Sequence, residues 1–197
     1  MRHLTPLAAA LLAVTGLAAP LATAPAAAQI NARDPGQFVD SLAERGFTVL
    51  TGNRAQARGQ FRSLLAQHFA VDTIGDNLIR QWRPRITAQQ YQQYKAAFPN
   101  FIIGTYADRL YDYAGADLEV VRVQNSANAA AVLTRVTKPG AQPVNVIWSL
   151  AKVGPTYKVT NLTVSGVNLA MAQRADFNSY IQRRGFDGLL TFMRSRG

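Results

Sequence analysis

Histidine, cysteine and closely spaced carboxylates are the side chains that attack, move protons or hold metals near neutral pH. This sequence has few of them. Cysteine is absent, which excludes thiolate chemistry and disulfides alike. Beyond His3 at the start, the one histidine is His68, set on an apolar stripe between Leu65 and Phe69. A lone imidazole there reads as a core or boundary residue. A zinc site would need carboxylates, and no acidic pair stands at helical ligand spacing beside it. Asp108 and Asp112 are four apart on a helical segment, the spacing of a paired-carboxylate site, but they flank Arg109 and read as an exposed charged face. Neither a Gly-x-Ser-x-Gly elbow nor a phosphate-cradling glycine loop is present. An acid/base pair of Asp108 or Asp112 with Tyr106 is the residual catalytic option. The reading is a protein without enzymatic activity, cofactor or metal.

The N-terminus sets the compartment. Met1-Arg2-His3 is a short basic start, followed by an apolar run from Leu4 to Ala19 that Pro20 and Pro25 interrupt. Ala26-Ala27-Ala28 then precede Gln29. This is the layout of a secretory signal peptide cleaved near Ala28, and the run is shorter than a membrane span of roughly 20 apolar residues. The expected domains are residues 1–28 as signal peptide and 29–197 as one exported domain. A domain of that size buries a sufficient core by packing alone. The formal charge is +10, one lower without Arg2. Such a balance draws a protein towards anionic lipid or acidic partners. Nucleic acid is a poor partner for an exported chain, and the basic residues are dispersed rather than gathered in one block.

The elements that would position any site run helices, strands, helices. Asp34-Pro35 suits a helix start, with Phe38, Leu42 and Val49 on one side, and Gly52-Asn53 ends it. Phe61, Leu64, Leu65, His68 and Phe69 follow at i, i+3, i+4, i+7 and i+8, the pattern of a buried stripe. Asp72 is placed to cap a short helix through Ile74, Leu78, Ile79 and Trp82. Thr87 to Gln90 match a capping box, opening a helix through Tyr91, Tyr94 and Phe98. Pro99 kinks or ends that helix, and Ile102, Tyr106, Leu110 and Tyr113 continue it to Gly115.

The hydrophobic period then changes to alternation. Leu118–Val123, Ala129–Thr137, Val144–Val153 and Tyr157–Val164 read as strands joined by short turns, hence an antiparallel meander of four strands or five. Val144, Val146, Trp148 and Leu150 share one face, with Ala131, Leu133, Tyr157 and Val159 assigned beside them. A parity switch between Val120 and Val121 marks a bulge. Asn168 starts a helix through Phe177 and Ile181, and Phe186 to Met193 form another. A sheet covered on one face by helices from both ends is an α+β fold.

From about Phe61 onward the chain resembles the MlaC/Ttg2D family of periplasmic phospholipid-binding proteins. Phe61–Phe69 with Asp72 is similar to that family's early Leu/Phe helix, and Phe98, Tyr106, Leu110 and Tyr113 follow its aromatic spacing. The run Tyr157 to Leu169 resembles its aromatic-Lys-Val-x-Asp-x-x-x-Glu-Gly-Val-Ser-Leu signature, with Asn161, Ser165 and Asn168 in place of its Asp, Glu and Ser. Arg174, Phe177, Gly185 and Leu189 fall where its closing helices have them. Leu169 to Arg174 also resemble the hopanoid-associated relative HpnM.

The resemblance implies a monomeric lipid shuttle between an outer-membrane lipoprotein complex and an inner-membrane ABC transporter with an MCE-domain subunit. Its cargo would be a phospholipid or, on the HpnM likeness, a hopanoid. An apolar cavity between sheet and helices would take the acyl chains. Its sheet wall would be Val120, Leu133, Val146, Trp148 and Val159, and its helix wall Leu65, Phe69, Ile102 and Tyr106. From periodicity alone these residues equally suit a solid core. Arg109 and Arg174 are the candidates for headgroup or docking contacts. The rival to a carrier is a non-catalytic envelope adaptor with a filled core.

Overall fold

The computed structural model describes residues 30–31 and 33–197, without the side chains of residues 55 and 107–109. The expected signal segment therefore lies outside the described residues, as do the side chains of Asp108 and Arg109.

Helix α1 spans Pro35–Leu50, and Asp34 caps it by accepting the Gln37 amide at 2.8 Å. Helix α2 runs Arg54–His68 and α3 runs Val71–Leu78. Asp72 does not cap α3. The N-cap is Ala70, without a side-chain bond, and Asp72 lies in the first turn, bound to Lys95 at 2.6 Å. The helix also stops at Leu78 rather than Trp82, and a single 3-10 turn, Arg83–Arg85, leads on. Helix α4 covers Ala88–Leu110. Its capping box is present in both directions: the Thr87 amide donates to Gln90 Oε1 at 3.0 Å, and the Gln90 amide to Thr87 Oγ1 at 3.1 Å. Pro99 sits inside α4 without ending it.

The sheet is a meander in the order β1-β2-β3-β4-β5, antiparallel throughout. Its strands are β1 Asp117–Asn125, β2 Ala129–Thr137, β3 Val144–Val153, β4 Thr156–Val164 and the two-residue β5 Val167–Asn168. Ser165 and Gly166 both take positive φ between β4 and β5, as a two-residue hairpin requires. The register shifts between Val120 and Arg122, so Val121 is the extra residue of a bulge. A second shift leaves Thr160 unpaired in β4.

Residues opposite one another in an antiparallel pair share a face, so the register decides which side chains look inward. Val132 pairs with Trp148 and Thr134 with Val146, whereas Leu133 pairs with Ile147. Leu133 and Ala131 thus lie on the outer face, and their assignment beside Trp148 is corrected. Ala130, Val132 and Val136 are buried and Thr134 is 0% exposed, while Ile147 is exposed.

Helix α5, Leu169–Arg196, unites the two closing helices across a break at Gly185, whose φ of 71° favours glycine. Asn168 caps it by accepting the Met171 amide at 3.0 Å, and Asn161 accepts the Ala170 amide at 3.1 Å. The amide that replaces the family's usual Asp is therefore a second cap on α5.

Among the described residues the core falls into three clusters. One is helical, built from α3, α4 and α5 around Tyr94, Phe98, Phe101, Phe177 and Leu189. A second packs Phe38, Val39 and Leu42 of α1 on Val132, Leu150 and Val159 of the sheet. The third is small, with Ala116, Val136 and Val146 at the far end of the inner face.

Candidate functional site

Between these clusters lie apolar side chains that are only half buried. Leu64, Phe69, Val120, Trp148 and Leu162 border the α1–sheet cluster. Phe47, Tyr113, Leu118, Val144 and Val164 border the smaller one, which also shares Trp148 and Leu162. The stripe on α2 belongs here. Phe61, Leu64, Leu65, His68 and Phe69 are all half buried rather than buried, because α2 does not press its apolar face into a closed core.

The expected wall residues divide by place. Val120, Val146, Trp148 and Val159 are on the inner face, with Val159 fully buried and Trp148 half buried. Phe69 meets Val159 through an isolated bridge, and the Ala70 amide donates to Val159 O at 2.9 Å, covering the edge of β4 that β5 leaves open. Leu65 is half buried on α2. Ile102 packs against the helical cluster. Tyr106 donates from its hydroxyl to Gln173 Oε1 at 3.2 Å, tying α4 to α5. Leu133 faces away. Arg174 donates from Nε to Asn77 O at 3.1 Å, satisfying a carbonyl at the end of α3.

Periodicity missed Thr134. Trp148 Nε1 donates to Thr134 Oγ1 at 3.1 Å, and Thr134 Oγ1 donates to Val146 O at 3.2 Å. This chain fixes the indole against the inner face and leaves its ring towards the half-open space. The legible signal was the β-branched series Val132, Thr134, Val136, which outweighs one Leu at 133. Thr134→Val should cost about 1–3 kcal/mol in urea unfolding, because the half-buried indole N–H loses its acceptor. Thr134→Ser should recover most of it, and a Val variant as stable as the parent would dismiss the network.

Cavities open at the surface at two places among the described residues. One of about 570 Å³ lies between α1 and α2, lined by Ile30, Val49, Leu64, Arg45, Gln67 and His68 among others. The other, about 300 Å³, lies between α4 and α5 beside Phe101, Tyr180 and Phe192. The nine expected wall residues line neither.

His68 has its ring centroid 6.0 Å from that of Phe38. Partial burial, with Lys158 nearby, pushes its pKa below the ordinary imidazole value of about 6.5. The fold therefore favours neutral His68, and the unfolded chain binds the proton more readily. Stability is retained above about pH 6.5 and falls as the pH drops below it. Thermal melts from pH 7.5 to 5 should show a smaller loss for His68→Gln than for the parent. Parallel curves would mean that the imidazole contributes nothing.

Asp112 is exposed, and among the described residues no group of three or more His, Asp or Glu is placed to hold a metal ion. No described helix is long and apolar enough to cross a membrane.

The fold has a counterpart. A phospholipid-binding protein from Ralstonia solanacearum, solved in complex with a phospholipid, superposes with a TM-score of 0.67 at 22% sequence identity, covering 80% of this chain and 93% of that one. At this identity the likeness establishes the shared α+β fold. The sequence itself goes further: residues 38–195 match the family model described as MlaC protein, and the chain belongs to the MlaC family.

Proposed function

We propose that this protein is a non-catalytic periplasmic carrier that holds the acyl chains of a phospholipid against the inner face of the sheet and ferries the lipid between membranes. Two acyl chains of roughly 30 methylenes in water cost on the order of 20 kcal/mol or more, at about 0.8 kcal/mol each. Unaided passage across an aqueous gap is negligible at that cost. A carrier needs only to replace one hydrocarbon setting with another, which requires no catalytic group.

The observation that carries this reading is the divided core. A domain of this size ordinarily has one contiguous core. Here Trp148, Leu162, Val164, Leu118 and Val120 line the inner face only half buried, with Phe69, Leu64 and Tyr113 facing the same region. Half-buried apolar side chains along one face of the sheet are what a lipid tail would cover. The similar fold of a protein seen with phospholipid bound supports the same cargo. An outer-membrane lipoprotein complex and an inner-membrane ABC transporter with an MCE-domain subunit are the exchange partners this reading calls for, and asymmetry of the outer membrane is its outcome.

Native and then denaturing mass spectrometry of residues 29–197, purified from bacterial periplasm without detergent, tests the proposal. Close to one phospholipid per chain is the expected result. A hopanoid mass would replace the cargo while keeping the carrier. A bare protein mass, unchanged after incubation with mixed liposomes, would overturn the carrier in favour of an adaptor.

A further inference from the structure

The loop between α3 and α4 carries three exposed arginines, Arg80, Arg83 and Arg85, around Trp82. One hydrogen bond fastens this loop to α5, and a second fastens the end of α3 just before it. Trp82 Nε1 donates to Asn178 Oδ1 at 2.8 Å, and Arg174 Nε donates to Asn77 O at 3.1 Å. Asn178 lies one helical turn beyond Arg174, and Asn77 lies three residues before Arg80. Arg174, distant in sequence, is thus brought to the end of the helical layer that carries Arg80, Arg83 and Arg85.

Among the described residues the ion pairs are Lys95–Asp72 and Arg135–Glu119, so none of the four arginines has a carboxylate partner. The neighbouring acids are otherwise engaged: Asp72 holds Lys95, and Asp76 accepts the Tyr91 hydroxyl at 2.9 Å. Two of the arginines are already ordered. The Arg83 guanidinium sits 3.7 Å over the Tyr91 ring, and that of Arg85 sits 5.6 Å from the Trp82 ring centroid. Stacked guanidinium groups lose little further freedom on binding and present paired N–H donors that match phosphate oxygens.

We propose that Arg80, Arg83 and Arg85, beside Trp82, together with Arg174 at the end of α3, form a landing surface for the anionic phosphate headgroups of a lipid bilayer. The proposal rests on the carrier reading and supplies the face with which the carrier meets a membrane. All four arginines are exposed, so an occupant meets them as a surface. Arginine interleaved with Trp and Tyr is also the composition that settles at the headgroup level, where rings and guanidinium groups both find partners.

The test is co-sedimentation of the full mature chain with vesicles of phosphatidylcholine alone or with 30% phosphatidylglycerol. The parent should bind the anionic vesicles, bind the neutral ones weakly, and lose binding as salt shortens the Debye length. Arg83→Glu with Arg85→Glu should lower the partition coefficient roughly thirtyfold or more, since each cation near an anionic surface is worth about a factor of five. A control of equal charge, Arg58→Glu with Arg62→Glu on α2, should change it by less than about threefold. Equal losses in the two variants would overturn the surface, leaving only net charge. Absence of parental binding to anionic vesicles would overturn it too, and would assign the arginines to an acidic protein. Lipid content by mass spectrometry keeps the two readings apart: a patch variant that retains cargo but not vesicle binding fails only at the membrane.

Discussion

Leu162→Trp should strip the protein of bound lipid, and Leu133→Trp should leave it loaded. Leu162 lies opposite Trp148 on the inner face and borders both sheet clusters while only half buried. An indole there covers the part of the inner face between the clusters, where acyl chains are proposed to lie. A fall in lipid per chain of at least about tenfold corresponds to roughly 1.4 kcal/mol of lost binding, a modest demand for an obstructed cavity. Leu133 has the same side chain on β2, two strands away, but it pairs with Ile147 on the outer face. The two variants differ in which side of the sheet receives the ring. Native mass spectrometry reads the occupancy, and circular dichroism confirms that both variants remain folded. Full occupancy in folded Leu162→Trp would remove the inner face as the lipid wall.

Phe177→Ala should produce the largest loss of stability. Phe177 is 1% exposed, with its ring centroid 5.4 Å from Phe101 and 6.3 Å from Tyr94. Truncating such a ring costs about 3–5 kcal/mol, since the cavity left between three helices closes only in part. For a domain of this size that is roughly a 10 °C drop in Tm. Lipid occupancy measured well below the melt should stay near the parental level, because the helical cluster is separate from the sheet wall. Urea unfolding alongside mass spectrometry separates the two effects. Loss of lipid in a fully folded Phe177→Ala sample would show that the helical cluster shapes the site.

Local chemistry made much of the fold legible. Asp34, Thr87 with Gln90, and Asn168 announce their helices because a capping side chain acts within three residues of itself. The ends of β2 and β3 coincide with the change from alternation to turn residues, and the parity switch after Val120 identifies the bulge. Asp72 misled, since an acidic residue favours the first turn of a helix as well as its cap.

The sequence by itself determined the element order, the meander and the scarcity of catalytic groups, because periodicity, capping and residue type act over a few neighbours. Only the tertiary structure decided which face of β2 turns inward. Alternation supplies two equivalent faces, and it took pairing with Trp148 to bury Thr134 in place of Leu133. It also decided that the α2 stripe stays half open, that Arg174 holds the end of α3, and that Trp82 ties the arginine-bearing loop to α5. Each of these depends on contacts between distant segments, and such contacts arise when elements pack, not when they form.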